Sequence, residues 1–158
     1  VNSGEALSIL DDRQCKEDPS RQADLAAAAM ALASRYAIET VAVTDGPSTA
    51  YIVDKGACYA VAIPDLAGGR EHFLGPSLAS GTGKLTLNPL GAGDTCSAVM
   101  VNQLLDGTPM VEAFALGLAA ASASCLVLMP NCVFDRSVMR RIRAQITVTK
   151  CVCKAGLV

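Results

Sequence analysis

Residues 88–100, NPLGAGDTCSAVM, combine a tight glycine turn with a carboxylate and a run of small residues. Gly91 and Gly93 let the backbone turn sharply and approach a ligand without a Cβ in the way. Helix-forming residues follow, so the turn would leave backbone N–H groups at the positive end of a helix dipole, where anions bind. Asp94 would then lie in the first helical turn, beside an anion site.

The carboxylate of Asp94 has two interpretations on this pattern. An acid in the first turn of a helix complements the helix dipole, which is a structural role. The same acid could be a general base placed where charge develops during phosphoryl transfer. Short glycine motifs are common, so the letters GAGD alone leave both interpretations open.

The composition describes an apolar, weakly acidic chain. Its 158 residues are 51% hydrophobic, which suits one globular domain with a sizeable core. The net charge of -2 argues against a nucleic-acid partner. No apolar run reaches the roughly 20 residues that a membrane span needs, and no signal-peptide pattern is visible. The seven cysteines do not show the spacing of a disulfide framework, which indicates mostly reduced thiols. We therefore expect a cytoplasmic protein, and we expect no membrane partner.

Helical and strand patterns alternate along the chain. The helix-rich QADLAAAAMALASRY precedes the β-branched run IETVAVT, which ends at the turn signal DGP. A hairpin is predicted from AYIVD and ACYAVAI, joined by Lys55 and Gly56. A glycine-rich loop at 64–84 and a brief strand, KLTL, come next, and helices are predicted at about 93–105, 110–126 and 135–146. This alternation favours an α/β domain.

Four segments together resemble the ribokinase-like (PfkB) carbohydrate kinases. NPLGAGDTCSAVM is similar to the second signature of that family, close to D-T-x-G-A-G-D followed by a small-residue helix. N-x-x-E at 2–5, T-x-G at the end of ETVAVTDG, and LLDGTPMVEAFALGLAAASAS resemble further segments in family order. The resemblance covers most of residues 1 to about 130. It implies a three-layer ribokinase-like α/β fold, which we expect to contain a largely parallel sheet.

The resemblance implies catalytic roles in the glycine turn. Asp94 would be the base that takes the proton from the acceptor hydroxyl. The N–H groups around Gly91, Ala92 and Gly93 would form an anion hole for the transferring phosphoryl group. Fixed N–H dipoles aimed at the oxygens that carry the charge lower the barrier to transfer.

The resemblance also implies a site for ATP and Mg²⁺. Asn2 and Glu5 would help to place phosphate and metal, Glu5 through metal-bound water, since Mg²⁺ keeps several waters. Thr44 and Gly46 would line the ATP site, although an ordinary turn after a strand is the alternative. Leu118 would contact the adenine face, and a core leucine on an amphipathic helix is its alternative.

Two departures from the family pattern concern a monovalent cation. Asn88 stands where the family has an acid that helps to hold K⁺, and Pro89 replaces the threonine after it. VLMPNC replaces the glycine-containing turn whose carbonyls usually complete the same site. Both changes weaken the expectation of a potassium site headed by Asn88.

Members of this family are roughly twice as long as the present chain, in keeping with a full α/β domain and a small lid. Residues 1–158 would therefore be a single C-terminal, nucleotide-side fragment, with the sugar-binding half and lid absent. We predict an ATP-dependent kinase of a sugar or a similar small alcohol, inactive as the isolated fragment. The alternative is a nucleotide-binding or structural fragment, or a degenerate member, without phosphotransfer activity. The acceptor and the oligomeric state are not predictable, because the residues that decide them lie in the absent half.

Overall fold

The computed structural model describes residues 1–10, 21–67, 73, 87–127 and 134–151. The chain divides into two compact units, and each is described by itself. The first contains Val1–Ala62 and the segment that starts at Thr147, and the second is Ile63–Ile146. Within the described residues, no helix is both long and apolar enough to cross a membrane.

The first unit packs two helices on a four-stranded sheet. Its strands are ordered β1-β2-β3-β4 across the sheet, and each neighbouring pair is antiparallel. The elements are α1 (Ser3–Leu10), α2 (Arg21–Arg35), β1 (Thr40–Val43), β2 (Ala50–Asp54), β3 (Ala57–Ala62) and β4 (Thr147–Lys150).

The predicted hairpin is confirmed as β2 and β3. Lys55 and Gly56 connect the strands with φ of 49° and 79°, and Asp54 pairs with Ala57. Positive φ at both central residues is the turn geometry that matches the twist of a hairpin. Lysine accepts this left-handed conformation at some cost, whereas glycine adopts it freely.

The expectation of a largely parallel sheet is wrong for the described strands. Parallel neighbours need a crossover connection of a dozen or more residues, whereas β2 and β3 are separated by two. The short segment 44–49 between β1 and β2 likewise reverses the chain. The parallel pairing that the described residues do contain is a single bridge between Asn2 and Thr44.

The core of the first unit lies between α2 and one face of the sheet. Alternate residues of a strand face the same side, so the apolar residues of successive strands meet there. The buried members are Ala6, Leu25, Ala29, Leu32, Val41, Val43, Tyr51, Val53 and Cys58.

The second unit contains three described helices: α3 (Ala92–Leu105), α4 (Met110–Cys125) and α5 (Arg136–Arg143). All three were predicted from the sequence, with ends that differ by no more than three residues. The predicted strand KLTL and most of the 64–84 loop lie outside the described residues. Helix α4 is buried along most of its length, because its residues are almost all small or apolar.

Gly117 marks a close approach of α4 to α3. A Cβ at Gly117 would lie 2.6 Å from the carbonyl oxygen of Cys96 and 3.2 Å from its Sγ. Real Cβ atoms do not approach a backbone oxygen this closely, so the two helices would have to move apart. The absence of a side chain at Gly117 therefore sets the spacing of the helix pair.

We predict that Gly117→Ala destabilises the protein. A helix-interior alanine normally gains roughly 0.5–1 kcal/mol over glycine. Overpacking a tight contact costs about 1–3 kcal/mol, which outweighs that gain. Gly93→Ala is the matched control, because a Cβ at Gly93 meets no atom within 4 Å. Urea unfolding of both variants measures the difference, and a Gly117→Ala protein as stable as the parent would contradict the close approach.

Arginines of α5 hold the helix in the second unit. Arg143 makes a two-pronged ion pair with Glu112 at the start of α4, with Nε donating to Oε1 at 2.9 Å. Arg141 donates to the carbonyl oxygen of Phe73 from Nε at 2.9 Å and from Nη2 at 2.6 Å. Two arginines of this helix therefore make specific contacts within the second unit rather than only forming a solvated charged face.

Asp135 caps the N-terminus of α5. Its carboxylate accepts from the backbone N–H of Ser137 at 2.6 Å and of Val138 at 3.4 Å. Hydrogen bonds from the Ser137 side chain, and from these two N–H groups, lower the pKa of Asp135 from its ordinary value of 3.8. The ionised form is therefore the one that the folded protein favours.

We predict that Asp135→Ala lowers the thermal midpoint at neutral pH and that the difference from the parent disappears in acid. Because the folded-state pKa is depressed, the stabilisation is complete above pH 3.8 and is lost as the pH falls through the lower folded value. Asp135→Asn is the control, since Asn caps about as well as Asp without titrating. Thermal melts between pH 7 and pH 2 decide it, and a parent-to-Ala difference that stays constant with pH would contradict the ionised cap.

Candidate functional site

The turn before α3 is built by a left-handed glycine. Gly91 is the N-cap of the helix, with φ of 76° and ψ of 5°, a conformation that residues with a Cβ rarely adopt. The N–H of Ala92 closes the turn on the carbonyl oxygen of Pro89 at 3.1 Å, and the N–H of Leu90 donates to Oδ1 of Asn88 at 3.2 Å. The chain therefore enters the helix in one fixed conformation.

Two backbone N–H groups remain open at this helix end. The N–H of Thr95 donates to the carbonyl oxygen of Gly91 at 2.9 Å, which is the first bond of the helix. In the part of the chain that the structure describes, the N–H groups of Gly93 and Asp94 make no hydrogen bond. Gly93 is exposed, and a Cβ on it would face open space. Open donors at a helix N-terminus suit a bound anion.

The predicted anion hole and the open donors overlap at Gly93. The sequence placed the hole at Gly91, Ala92 and Gly93, whereas the turn itself occupies the N–H of Ala92. Gly93 belongs to both sets, and Asp94 adds its own N–H. Whether these groups bind a phosphoryl oxygen stays a prediction.

The side chain of Asp94 is exposed and lies in the first turn of α3. Among the described residues it has no hydrogen bond and no ion pair, so it does not cap the helix by a side-chain bond. A carboxylate committed to a structural hydrogen bond would be a poorer proton acceptor. The geometry therefore leaves Asp94 available as a base next to the two open donors.

In the first unit, Asn2 and Glu5 form a capping box at the start of α1. Oδ1 of Asn2 accepts from the N–H of Glu5 at 2.8 Å, and Oε2 of Glu5 accepts from the N–H of Asn2 at 2.9 Å. This reciprocal pair satisfies two donors at a helix end. The Asn-x-x-Glu spacing that suggested a nucleotide motif is also the spacing of this box, a signal that the sequence interpretation missed.

The N-terminus of α1 lies beside the end of β1. The N–H of Ser3 donates to the carbonyl oxygen of Thr44 at 2.8 Å, and the hydroxyl of Ser3 donates to Oδ1 of Asp45 at 2.6 Å. Gly46 follows with φ of 56°, and a Cβ on it would meet no atom within 4 Å. Asn2, Thr44 and Gly46, predicted from separate motifs, thus share one end of the first unit.

Leu118 lies in α4 and is 3% exposed. Its burial favours the alternative of a core leucine. Contact with adenine stays a prediction, and it would require a neighbouring group to move.

Each unit has groups that could suit part of a nucleotide or Mg²⁺ site. The open N–H groups of Gly93 and Asp94 match phosphate oxygens. Glu5 uses one carboxylate oxygen in the capping box, which leaves the other for a metal-bound water. No group of three or more His, Cys, Asp or Glu side chains in the described ranges could hold a metal directly. Asn88 carries no negative charge and its Oδ1 already accepts from the N–H of Leu90, so it is a weaker cation ligand than the acid it replaces.

Comparison with known proteins gives a fold likeness and no sequence match. No family model and no curated protein matches the chain. Among solved structures it is similar to phosphofructokinase-2 from Escherichia coli, with a TM-score of 0.66 and 22% identity over 90% of this chain and 38% of that one. A Staphylococcus aureus protein described as a phosphofructokinase has a TM-score of 0.63 and 18% identity over 95% of this chain and 40% of that one.

A third similar structure is a protein described as a sugar kinase from Clostridium perfringens. It has a TM-score of 0.57 and 14% identity, over 94% of this chain and 40% of that one. The chain thus spans about two fifths of the length of these neighbours. At such identities the likeness shows the fold alone: the chain folds like part of each of these proteins.

Proposed function

We propose that this chain is the C-terminal, nucleotide-side part of an ATP-dependent kinase that phosphorylates a sugar or a similar small alcohol. One observation carries the proposal: the exposed carboxylate of Asp94, which has no hydrogen bond or ion pair among the described residues, lies beside two open N–H donors at a helix start shaped by a left-handed glycine. The fold likeness to sugar kinases supports it. We also infer membership of the ribokinase-like (PfkB) family, on the four motifs and this likeness together.

The chemistry assigned to these groups is a phosphoryl transfer. The acceptor hydroxyl loses its proton to the Asp94 carboxylate as its oxygen bonds to the terminal phosphorus of ATP, and the bond from that phosphorus to the bridging oxygen breaks. The N–H groups of Gly93 and Asp94 face the transferring oxygens and stabilise the charge that develops on them. Mg²⁺, when bound with ATP, neutralises charge on the phosphates.

The remaining predicted residues supply the nucleotide side of this proposal. Thr44 and Gly46 would line the ATP site, Asn2 and Glu5 would orient phosphate and metal-bound water, and Leu118 would contact adenine. Phosphofructokinase-2 from Escherichia coli was solved in complex with potassium. Asn88 offers no negative charge for such an ion, so the proposal assigns none.

The first acceptors to test are phosphorylated hexoses, together with free sugars. The Escherichia coli phosphofructokinase-2 neighbour was solved in complex with fructose-6-phosphate. We therefore propose an acceptor panel of free pentoses, free hexoses and hexose monophosphates. The proposal covers the full-length enzyme, because the acceptor pocket and lid would lie outside these residues.

The test measures ADP release by the full-length protein with each acceptor. We expect one acceptor to raise the rate at least tenfold above ATP hydrolysis without acceptor, and the isolated 158-residue chain to show no such stimulation. Full-length protein that binds ATP without transferring phosphate to any acceptor would support the alternative of a nucleotide-binding member without activity. Absence of ATP binding by the full-length protein would overturn both.

A further inference from the structure

The first unit places two thiols opposite each other across neighbouring strands. Tyr59 of β3 pairs with Lys150 of β4, so the next pair along the ladder is Cys58 and Cys151. The N–H of Cys151 donates to the carbonyl oxygen of Cys58 at 2.8 Å. Both cysteines are unoxidised and lie at the same α2-facing core, Cys58 as a buried member and Cys151 packed against it.

We propose that Cys58 and Cys151 form a reversible disulfide that fastens β4 to β3 under oxidising conditions. Hydrogen-bonded partners in an antiparallel pair have Cα atoms about 5.5 Å apart, within the range that a disulfide requires. Opposed residues also share a face of the sheet, so both side chains project to the same side. Burial, and after it the charges of Cys151 and Cys58, raise the pKa of Tyr51, in keeping with two thiols near one phenol.

The pair combines one accessible and one protected thiol. Cys58 is 3% exposed, whereas Cys151 is half-buried at the end of an edge strand. A peroxide would therefore oxidise Cys151 first, to a sulfenic acid with release of one water. The sulfur of Cys58 then attacks the sulfur of Cys151 and displaces hydroxide, which leaves as water with the proton of the Cys58 thiol. In sum, two thiols and one peroxide give one disulfide and two waters.

The bond would form at an exposed edge of the sheet. All four residues of β4 are exposed, and among the described strands β4 lies at the edge of the sheet and pairs with β3. A covalent link at its end would keep β4 on the sheet during the local openings that edge strands undergo. Oxidation would thus rigidify the first unit.

Other thiols of the chain provide an internal control. Burial raises the pKa of Cys96 to about 11, and burial also raises the pKa of Cys125. A thiol with a raised pKa has little thiolate at neutral pH and reacts slowly with peroxide. These two should stay reduced while Cys58 and Cys151 are oxidised.

The experiment treats the 158-residue chain with one equivalent of hydrogen peroxide, alkylates the remaining thiols and maps tryptic peptides by mass. Trypsin releases Cys58 in peptide 56–70 and both Cys151 and Cys153 in peptide 151–154. We expect these two peptides to be linked, independently of protein concentration, in the parent and in Cys153→Ser. The link should be absent in Cys151→Ser and in Cys58→Ala.

A second readout is the exchange of the Cys151 amide, which we expect to slow at least tenfold on oxidation and to recover with dithiothreitol. The proposal is overturned if the link survives in Cys151→Ser, if Cys151 and Cys153 bond to each other instead, or if Cys58 remains alkylatable after peroxide treatment. Unchanged exchange of the Cys151 amide in a protein whose link is confirmed by mass would overturn the stabilising role of the bond.

Discussion

Asp94→Asn in the full-length kinase is expected to lower kcat by about 10²–10⁴-fold, the usual contribution of a general base. Asparagine keeps the shape of the side chain but cannot take the proton from the acceptor hydroxyl. The Kd for ATP should change little, because phosphate recognition is assigned to the N–H groups of Gly93 and Asp94, which the substitution retains. Steady-state kinetics and nucleotide titration of the parent and the variant measure both quantities.

Asp106→Asn is the matched control for this substitution. Asp106 is exposed at the other end of α3, and its Oδ2 accepts a hydrogen bond from Asn102. We expect Asp106→Asn to keep kcat within about twofold of the parent, as surface substitutions usually do. If Asp94 only complemented the helix dipole, its variant would behave like this control. An Asp94→Asn enzyme with more than about a tenth of the parental kcat would return Asp94 to a structural role.

Gly93→Val is expected to weaken ATP binding by at least about tenfold, which corresponds to roughly 1.4 kcal/mol. The added isopropyl group would occupy the open space beside the Gly93 N–H, which we assign to the terminal phosphate. The fold should tolerate the change, since a Cβ at Gly93 meets no atom within 4 Å. Isothermal titration with ATP and a thermal melt separate the loss of binding from any loss of stability.

Ala98→Val controls for the bulk and the β-branching that Gly93→Val introduces. Ala98 is exposed in the same helix, beyond the first turn where the open donors lie. We expect ATP affinity to be unchanged in Ala98→Val. Equal affinity loss in both variants, or parental affinity in Gly93→Val, would place the phosphate elsewhere.

The features of the fold that could be predicted from sequence are those set by a few neighbouring residues. Lys55 and Gly56 between two apolar runs specify a hairpin, because the turn they form is local. The start of α3 was likewise visible in the glycine turn and the small residues after it. The availability of Asp94 was not visible, because it depends on which side chains come near it in three dimensions.

Sequence reasoning was incomplete or wrong where a pattern has two physical explanations or depends on distant residues. Asn2 and Glu5 suited both a nucleotide motif and a capping box, and spacing alone does not separate them. The direction of the strands was inferred from family resemblance, whereas the short connections on either side of β2 favour antiparallel pairing. The contact of Arg143 with Glu112 joins residues 31 positions apart, so a charge run on one helix gave no sign of it.

The most direct test of the phosphate site follows the backbone amides of the 158-residue chain by NMR during titration with ATP and Mg²⁺. We predict saturable shifts that are largest at the N–H groups of Gly93 and Asp94 and that disappear in Gly93→Val. Asp135 at the start of α5, where a side chain already occupies the helix end, should not respond. Binding with shifts elsewhere and none at Gly93 and Asp94, or no shifts at millimolar ATP, would contradict the assignment of this helix start as the phosphate site.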